Sequence, residues 1–122
     1  MNSAKILVID DEHTIIEILA RAFASRGHLT AGAVNGAEAL TALGASEFDL
    51  VLLDQVLPQT TGMQLLQRLR PLTRAPIYLM SGDSSEDTAL DASFLGAAGF
   101  FAKPLNINEI LDIVDRLPQR RA

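Results

Sequence analysis

With 122 residues, 48% of them hydrophobic, the chain is long enough for one domain with a buried core, and we expect a single domain over residues 1–122 with its core at about 5–117. A net charge of −5 without a densely basic stretch argues against nucleic-acid binding, and the lack of cysteine excludes disulfides and thiolate chemistry. No apolar run is long enough for a membrane span and residues 1–5 show no secretory pattern, so we expect a cytoplasmic protein. Residues 118–122 are expected to form a tail or the start of a linker.

Segments with the apolar character of strands alternate with segments that have the spacing of helices. The predicted strands are Lys5–Asp10, Leu29–Ala33, Leu50–Leu53 leading into Asp54, Pro76–Met80 and Gly99–Ala102. The first helix is predicted to stop at Gly27, and the later four begin at residue pairs typical of capping boxes. These pairs are Asn35 with Glu38, Thr61 with Gln64, Asp83 with Glu86 and Asn106 with Glu109. The alternation predicts an α/β fold with a doubly wound parallel sheet.

The stretch from Leu50 to Asp54 is the one on which the functional argument depends. Four consecutive apolar residues suit a strand covered on both faces, as in a parallel sheet, and they lead directly into a carboxylate. Pro58 lacks the backbone donor that a central strand needs, so the strand is expected to end near Asp54. Ligands bind at this carboxyl edge of open α/β sheets, which makes Asp54 a candidate functional residue.

Polar residues also follow three of the other predicted strands. Asp10 ends the first strand and Asp11 follows it, while Ser81 follows the fourth strand and Lys103 the fifth. Right-handed crossovers bring the carboxyl ends of all parallel strands to one edge of the sheet. With the strand order 2-1-3-4-5, the first and third strands are neighbours, so Asp10, Asp11 and Asp54 are expected to share one pocket.

Three carboxylates in one pocket repel each other and require a cation. An all-oxygen site suits a hard divalent ion such as Mg²⁺, whereas zinc is disfavoured because no His or Cys lies among the strand exits. One such ion together with Lys103 would balance the three acids. A metal ion, an ammonium group and the Ser81 hydroxyl around one carboxylate are the groups that phosphoryl transfer needs. Asp54 is the candidate nucleophile, forming an acyl phosphate.

Taken in order, these residues resemble the response regulator receiver domains of the CheY-like family, over essentially the whole stretch from Lys5 to Leu117. The matching features are Asp10-Asp11, Asp54 with Pro58 and Gly62 downstream, Ser81-Gly82, and Gly96-Ala97-Ala98-Gly99-Phe100-Phe101-Ala102-Lys103-Pro104. The resemblance implies a flavodoxin-like (βα)5 fold in a protein of a two-component phosphorelay. It also implies that the chain is not an enzyme, beyond catalysing its own phosphorylation and dephosphorylation.

The resemblance assigns a donor and a metal site. Asp54 would be the phosphoacceptor, taking a phosphoryl group from the phosphohistidine of a sensor histidine kinase or phosphotransfer protein. Asp11, Asp54 and the backbone carbonyl of Val56 would bind Mg²⁺ directly, and Asp10 would assist, often through water. Neither a nucleic acid nor a membrane is expected as a direct partner.

The resemblance also assigns a switch. Lys103 and Ser81 would bind the phosphoryl oxygens, and Phe100 matches an aromatic residue that changes rotamer on activation. A downstream protein would read the face made by the fourth helix, the fifth strand and the fifth helix. The Lys103–Pro104 bond is often cis in the family.

Some assignments stay open at this stage. Phe100, an aromatic residue in a covered strand, is as compatible with a place in the core as with a switch. Phe101 points the opposite way and is expected in the core. His13 and His28 are expected to face solvent.

Two other functions fit parts of the pattern. A phosphatase of the haloacid dehalogenase type also works through an aspartyl phosphate, but it usually carries a second acid two residues after the nucleophile, where this chain has Val56. A flavodoxin-like electron carrier would cradle a phosphate in its first loop, and Asp10, Asp11 and Glu12 would repel one. Turnover of a phosphate ester would identify the first function, and a colourless purified protein would exclude the second.

Overall fold

Five parallel strands form one sheet in the computed structural model, which describes residues 3–82 and 85–118. In chain order the strands of this sheet are β1 (Lys5–Ile9), β2 (Leu29–Ala33), β3 (Leu50–Asp54), β4 (Ile77–Ser81) and β5 (Gly99–Ala102). They lie in the order β2-β1-β3-β4-β5, and every neighbouring pair is parallel. The predicted fold class and the predicted order 2-1-3-4-5 are therefore confirmed.

Helices cover both faces of this sheet. They are α1 (His13–Ala24), α2 (Gly36–Ala45), α3 (Gly62–Leu69), α4 (Glu86–Phe94) and α5 (Ile107–Asp115), with a 3₁₀ turn at Arg70–Leu72. Buried residues such as Phe23 of α1 and Ile110 of α5 pack on one face, and Leu65 of α3 and Ala92 of α4 pack on the other. Within the described ranges, no helix combines the length and the apolar character that a membrane span requires.

Strand β3 is buried on both faces, as its unbroken apolar run predicts. Leu50 and Leu52 belong to the cluster under α1 and α5, while Val51 and Leu53 belong to the cluster under α2, α3 and α4. Burying each of these side chains stabilises the fold by roughly 1.5–3 kcal/mol. Asp54 ends the strand with only 3% of its surface exposed, so the packing of β3 holds a carboxylate at the edge of the sheet.

Two of the predicted capping boxes differ in how completely they form. In α3, the Thr61 hydroxyl accepts from the Gln64 backbone N–H, and the Gln64 side chain accepts from the Thr61 N–H, which completes the box. In α2, Asn35 accepts from the Glu38 N–H, but the Glu38 carboxylate accepts from the Val34 N–H instead of the Asn35 N–H. The bond from the Glu38 N–H to Asn35 therefore forms as predicted, whereas the reciprocal bond from the Asn35 N–H to the Glu38 side chain does not.

The start of α4 differs from the prediction. Asp83, the predicted cap, lies outside the described residues. Helix α4 begins at Glu86, and the Ser85 hydroxyl accepts from the Thr88 backbone N–H. Both serine and aspartate suit a helix N-cap, so composition alone does not decide between two candidates that lie so close in sequence.

A short antiparallel ribbon, which the sequence pattern did not predict, joins β3 to α3. Its strands are Val56–Leu57 and Thr60–Thr61, and Gln59 at its turn has a positive φ of 66°. Strands of two residues are too short for a periodic signal to emerge from the sequence. The ribbon returns the chain to the carboxyl edge, so that α3 begins beside Asp54.

The predicted exposure of His28 is wrong, whereas His13 is exposed as expected. His28 is 4% exposed, and its Nδ1 accepts from the Ala4 backbone N–H at 3.0 Å. Its Nε2 lies 3.1 Å from Asp115 Oδ1, so the neutral ring carries its proton on Nε2 and donates it to Asp115. Asp115 also pairs with Arg26. These contacts join the start of β1 to the end of α5, a long-range relation that local sequence pattern cannot reveal.

Candidate functional site

Three residues at the carboxyl ends of different strands meet at one edge of the sheet. Lys103 Nζ lies 2.9 Å from Asp54 Oδ1 and 3.9 Å from Asp10 Oδ2. Asp10 is fully buried and Asp54 nearly so, whereas the Lys103 side chain is 27% exposed. Because β1, β3 and β5 are parallel, their exits share one edge, and the lysine bridges the two acids there.

Asp10 is a buried carboxylate with a hydrogen bond to only one of its two oxygens among the described residues. Its Oδ1 accepts from the Glu12 backbone N–H at 2.9 Å, but the buried Oδ2 has no hydrogen-bond partner among the described residues. Burial raises the pKa of Asp10 from 3.8 to about 6. The Glu12 N–H and the charge of Lys103 oppose this rise in pKa, and the charge of Asp54 adds to it. Burial and the neighbouring Asp54 charge therefore make the ionised form of Asp10 unfavourable in this pocket.

Lys103 responds in the opposite sense. Burial lowers the pKa of this ammonium group, but the hydrogen bond to Asp54 and the charges of Asp54, Asp10 and Glu12 together outweigh burial. The net effect raises the pKa of Lys103 above its ordinary value of 10.5. Lys103 therefore stays positively charged at neutral pH and partly neutralises the acids.

An acidic cluster borders the bridged pair. One carboxylate oxygen each from Asp10, Asp11 and Glu12 lies within 4.8 Å of the others, with Asp11 and Glu12 exposed to solvent. All-oxygen donors and a buried oxygen without a partner fit a hard divalent cation. Glu12 was not among the predicted ligands, and Asp54, which was, pairs with Lys103 in this structure.

The predicted switch residues lie on β4 and β5. Ser81 is 4% exposed at the end of β4, and its backbone carbonyl accepts from the Lys103 N–H at 2.8 Å. Phe100 is half-buried and packs against the cluster under α2, α3 and α4. Phe101 is buried in the opposite cluster, as expected, and its ring stacks on Tyr78 with centroids 5.0 Å apart. The switch roles of Ser81 and Phe100 remain predictions.

Two further predicted features lie close by. The Lys103–Pro104 bond is cis. Val56, whose carbonyl is the predicted metal ligand, is the first residue of the ribbon, and 73% of its surface is exposed.

The sequence reading missed Gln55, the residue after Asp54. Its backbone N–H donates to Met80 O at 3.0 Å, and its carbonyl accepts from the Gly62 N–H at 2.8 Å. Its side-chain Oε1 accepts from the Met63 N–H at 2.9 Å. A Cβ at Gly62 would lie 2.5 Å from the Asp54 carbonyl oxygen, so only glycine lets α3 begin this close to β3. Local sequence carries no signal for this contact, since the acceptor and its donors belong to different elements.

An apolar groove of about 250 Å³ adjoins the site. Its lining residues come from α1 and from the segment that follows β5, namely Ile15, Ile18, Leu19, Lys103, Pro104, Leu105 and Ile107. Ile18 is 47% exposed, which is high for a large apolar side chain. Lys103 is both a wall of this groove and the partner of Asp54.

Residues 6–115 match the family described as response regulator receiver domain. The chain is 34% identical to sporulation initiation phosphotransferase F of Bacillus subtilis (strain 168), over 95% of this chain and 94% of the relative. It is 35% identical to the regulatory protein AtoC of Escherichia coli (strain K12), over 94% of this chain but 25% of the relative. The chain thus spans nearly all of the first relative and about a quarter of the second.

Solved structures show the same fold. A two-component response regulator from Clostridium difficile has a TM-score of 0.88 at 27% identity, covering 92% of this chain and 93% of that chain. A second match is a response regulator protein from Burkholderia pseudomallei, which was solved with a phosphorylated aspartic acid, calcium ion and citrate. It has a TM-score of 0.83 at 36% identity, covering 88% of this chain and 64% of that chain. The chain belongs to the response regulator receiver domain family. Such domains generally accept phosphoryl groups from histidine kinases and signal to downstream effectors.

Proposed function

We propose that Asp54 of this receiver domain accepts a phosphoryl group from a partner's phosphohistidine in a reaction that needs Mg²⁺. The observation that supports this most is the Lys103 bridge between Asp54 and Asp10, beside a buried carboxylate oxygen without a partner. Such a pocket is short of positive charge and provides a nucleophile next to a fixed ammonium group. The similar Burkholderia pseudomallei protein was solved with a phosphorylated aspartic acid and a calcium ion.

The chemistry is a direct transfer. An oxygen of Asp54 attacks the phosphorus, the bond between phosphorus and the donor imidazole nitrogen breaks, and that nitrogen keeps the electron pair. Lys103 exchanges its contact with Asp54 for a phosphoryl oxygen, and the Ser81 hydroxyl donates to another. When bound, Mg²⁺ supplies further charge neutralisation, held by Asp10, Asp11, Asp54 and the Val56 carbonyl. Each of these ligands is an oxygen atom.

The labelled residue is tested with acetyl phosphate as the donor. We expect wild-type protein to gain one phosphoryl group in the presence of Mg²⁺ and none in EDTA, as read by intact-protein mass spectrometry. Asp54→Asn is expected to abolish labelling, and Asp112→Asn, an exposed acid on α5, is the matched control. Undiminished labelling of Asp54→Asn would refute the assignment.

The apolar groove beside Lys103 is proposed to seat the protein that delivers the phosphoryl group. Its exposed Ile18 offers apolar contact area, and its Lys103 wall touches Asp54. We expect Ile18→Ser to slow transfer from a phosphorylated histidine kinase roughly tenfold, equivalent to about 1.4 kcal/mol, while labelling by acetyl phosphate is unchanged. The control is Leu72→Ser, an exposed leucine in the 3₁₀ turn near the amino ends of β3 and β4. Equal transfer rates in the two variants would mean that the donor binds elsewhere.

The face formed by α4, β5 and α5 is proposed to carry the output. Leu90 and Phe94 of α4 are 67% and 93% exposed, which leaves apolar area for a partner. A charge-assisted hydrogen bond from Ser81 to the phosphoryl group, worth about 1.5–3 kcal/mol, would shift a two-state equilibrium roughly tenfold or more. NMR of free and beryllofluoride-loaded protein would follow Phe100 and residues 86–94. If their signals stay in place while those of residues 55–59 shift, Phe100 is only a core residue.

A further inference from the structure

We propose that Gln55 is a positioning residue for the metal site, because it caps α3 from outside the helix and so fixes the backbone that carries the Val56 carbonyl. This inference rests on the proposed function, which places Mg²⁺ at that carbonyl. Gln55 touches neither a reacting atom nor the ion in this scheme. It acts through the peptide that follows it.

The start of α3 depends on Gln55 for two of its first three backbone donors. The Gly62 N–H donates to the Gln55 carbonyl at 2.8 Å, and the Met63 N–H donates to Gln55 Oε1 at 2.9 Å. The third donor, the Gln64 N–H, is satisfied by Thr61. Backbone donors at a helix start need partners from outside the helix, and here most of them come from the residue next to the phosphoacceptor.

Gln55 also forms a hydrogen bond to the sheet. Its own N–H donates to Met80 O at 3.0 Å, which continues the pairing of β3 with β4 by one residue. The nitrogen, the carbonyl oxygen and the side-chain oxygen of Gln55 therefore each have a defined partner. Such a residue has little freedom to rotate, and neither has the peptide that joins it to Val56.

Val56 is held through its peptide bond to Gln55 and through its pairing in the ribbon. Its side chain is largely exposed, and its pairing in the ribbon is with Thr61, which itself immediately precedes α3. Both anchors of Val56 thus lead to the first turn of α3. Gly62 permits this close approach, since any side chain there would collide with the Asp54 carbonyl and with Gln55. Loosening the start of α3 from Gln55 would therefore loosen Val56.

The affinity for Mg²⁺ is expected to depend on how firmly the Val56 carbonyl is held. The ion demands near-ideal octahedral geometry, and residues that orient its ligands typically change metal affinity 10–100-fold when they are replaced. We expect Gln55→Met, which keeps the length of the side chain but lacks the acceptor, to weaken Mg²⁺ binding about tenfold. Gln55→Glu keeps the acceptor and adds a charge that a helix start favours, so its affinity is expected within about threefold of wild type or tighter.

The experiment titrates Mg²⁺ alone into each protein, with the NMR shifts of residues 54–59 as the readout, and records melting temperatures in EDTA. Thr61→Val is the matched control, because it removes a single side-chain cap bond at the same helix end while keeping the backbone pairing of residue 61 with Val56 and all the bonds of Gln55. We expect it to lower the melting temperature about as much as Gln55→Met while leaving Mg²⁺ affinity at the wild-type value.

Three results would overturn the inference, and each is distinct. Wild-type affinity in Gln55→Met, with a fall in melting temperature like that of Thr61→Val, would make Gln55 a simple helix cap. A tenfold loss in Gln55→Glu would show that the accepted hydrogen bond is not what matters, even if Gln55→Met failed to fold. Absence of Mg²⁺ binding in the wild type would instead remove the proposed function, and this inference with it.

Discussion

Asp10 is fully buried, yet only one of its two carboxylate oxygens has a hydrogen-bond partner among the described residues. Its folded-state pKa of about 6 lies above the usual 3.8, so folding favours its protonated form. By linkage, burying the Asp10 charge does not lower the free energy of unfolding below about pH 4, where the group is protonated in both states. The loss in the free energy of unfolding grows as the pH rises toward the folded pKa and reaches its full size above that pKa. In function, the same cost would be relieved by a bound cation.

We therefore expect Asp10 to destabilise the metal-free protein increasingly as the pH rises from about 4 to 6, and Asp10→Asn to lack this contribution. At pH 7.5 in EDTA the variant is expected to be more stable than wild type by roughly 2–3 kcal/mol, since each unit of pKa corresponds to about 1.4 kcal/mol. Urea unfolding at a series of pH values measures this. Parallel pH curves for wild type and Asp10→Asn would contradict it, and Asp112→Asn supplies the surface control.

His28 gives a second expectation at the residue scale. His28→Ala removes the acceptor of the buried Ala4 N–H and the donor to Asp115, leaving polar groups unpaired and a gap behind. We expect a loss of about 2–3 kcal/mol in the free energy of unfolding. His13→Ala, an exposed histidine at the start of α1, should change it by less than about 0.5 kcal/mol. Equal small effects in chemical denaturation would show that the buried contacts contribute little.

At the scale of elements, the sequence predicted what local pattern can encode. The apolar run from Leu50 to Leu53 predicted a strand covered on both faces, and Thr61 with Gln64 predicted a helix start, since both signals lie within a few residues. The contacts that join elements could not be predicted in this way. Gln55 caps a helix to which it does not belong, and His28 meets Asp115 only after folding.

Arg70 is another joining residue that local pattern could not reveal. Its guanidinium donates to the carbonyls of Thr73 and Ala75, before β4, and to that of Gly96, after α4. Gly96 has a φ of 103°, and a Cβ there would lie 2.8 Å from Arg70 Cδ, so this turn requires glycine. One side chain thus ties the end of α3 to two other segments.

We expect Arg70→Leu to lower the free energy of unfolding by about 2–4 kcal/mol, because three part-buried carbonyls lose a charged donor. Arg74→Leu, an exposed arginine in the same stretch, should have an effect within about 0.5 kcal/mol of zero. Guanidinium unfolding of both variants distinguishes the two. A loss for Arg70→Leu no larger than that for Arg74→Leu would count against the role assigned to Arg70.

For the whole molecule, parallel topology fixes where the charges gather. The exits of β1, β3 and β5 place Asp10, Asp54 and Lys103 at the carboxyl edge, which the order of strands made predictable. Which oxygens face each other there was less predictable, as Glu12 joined the acidic cluster and Lys103 bridged the acids. Those details depend on side-chain packing, which sequence spacing does not specify.

From the acids at the carboxyl edge we predict that Mg²⁺ stabilises the folded domain as a whole. At an Mg²⁺ concentration tenfold above the dissociation constant, binding to the folded state alone adds about 1.4 kcal/mol. For a domain of this size that corresponds to a rise in melting temperature of roughly 3–6 °C. Asp11→Ala should abolish the rise, whereas Asp112→Ala should keep it. An equal rise in all three proteins, by calorimetry, would mean that Mg²⁺ acts elsewhere.

The stacked pair of Tyr78 and Phe101 has a practical consequence. Tyr78 is the sole tyrosine in a chain without tryptophan, so the intrinsic emission of the protein comes from one ring at one known place. That ring lies over Gly99, on the strand that ends at Ser81 and beside the strand that leads to Lys103. Any rearrangement between these strands alters the surroundings of a single fluorophore. The unlabelled protein therefore contains its own optical reporter, which a stopped-flow instrument can follow in real time.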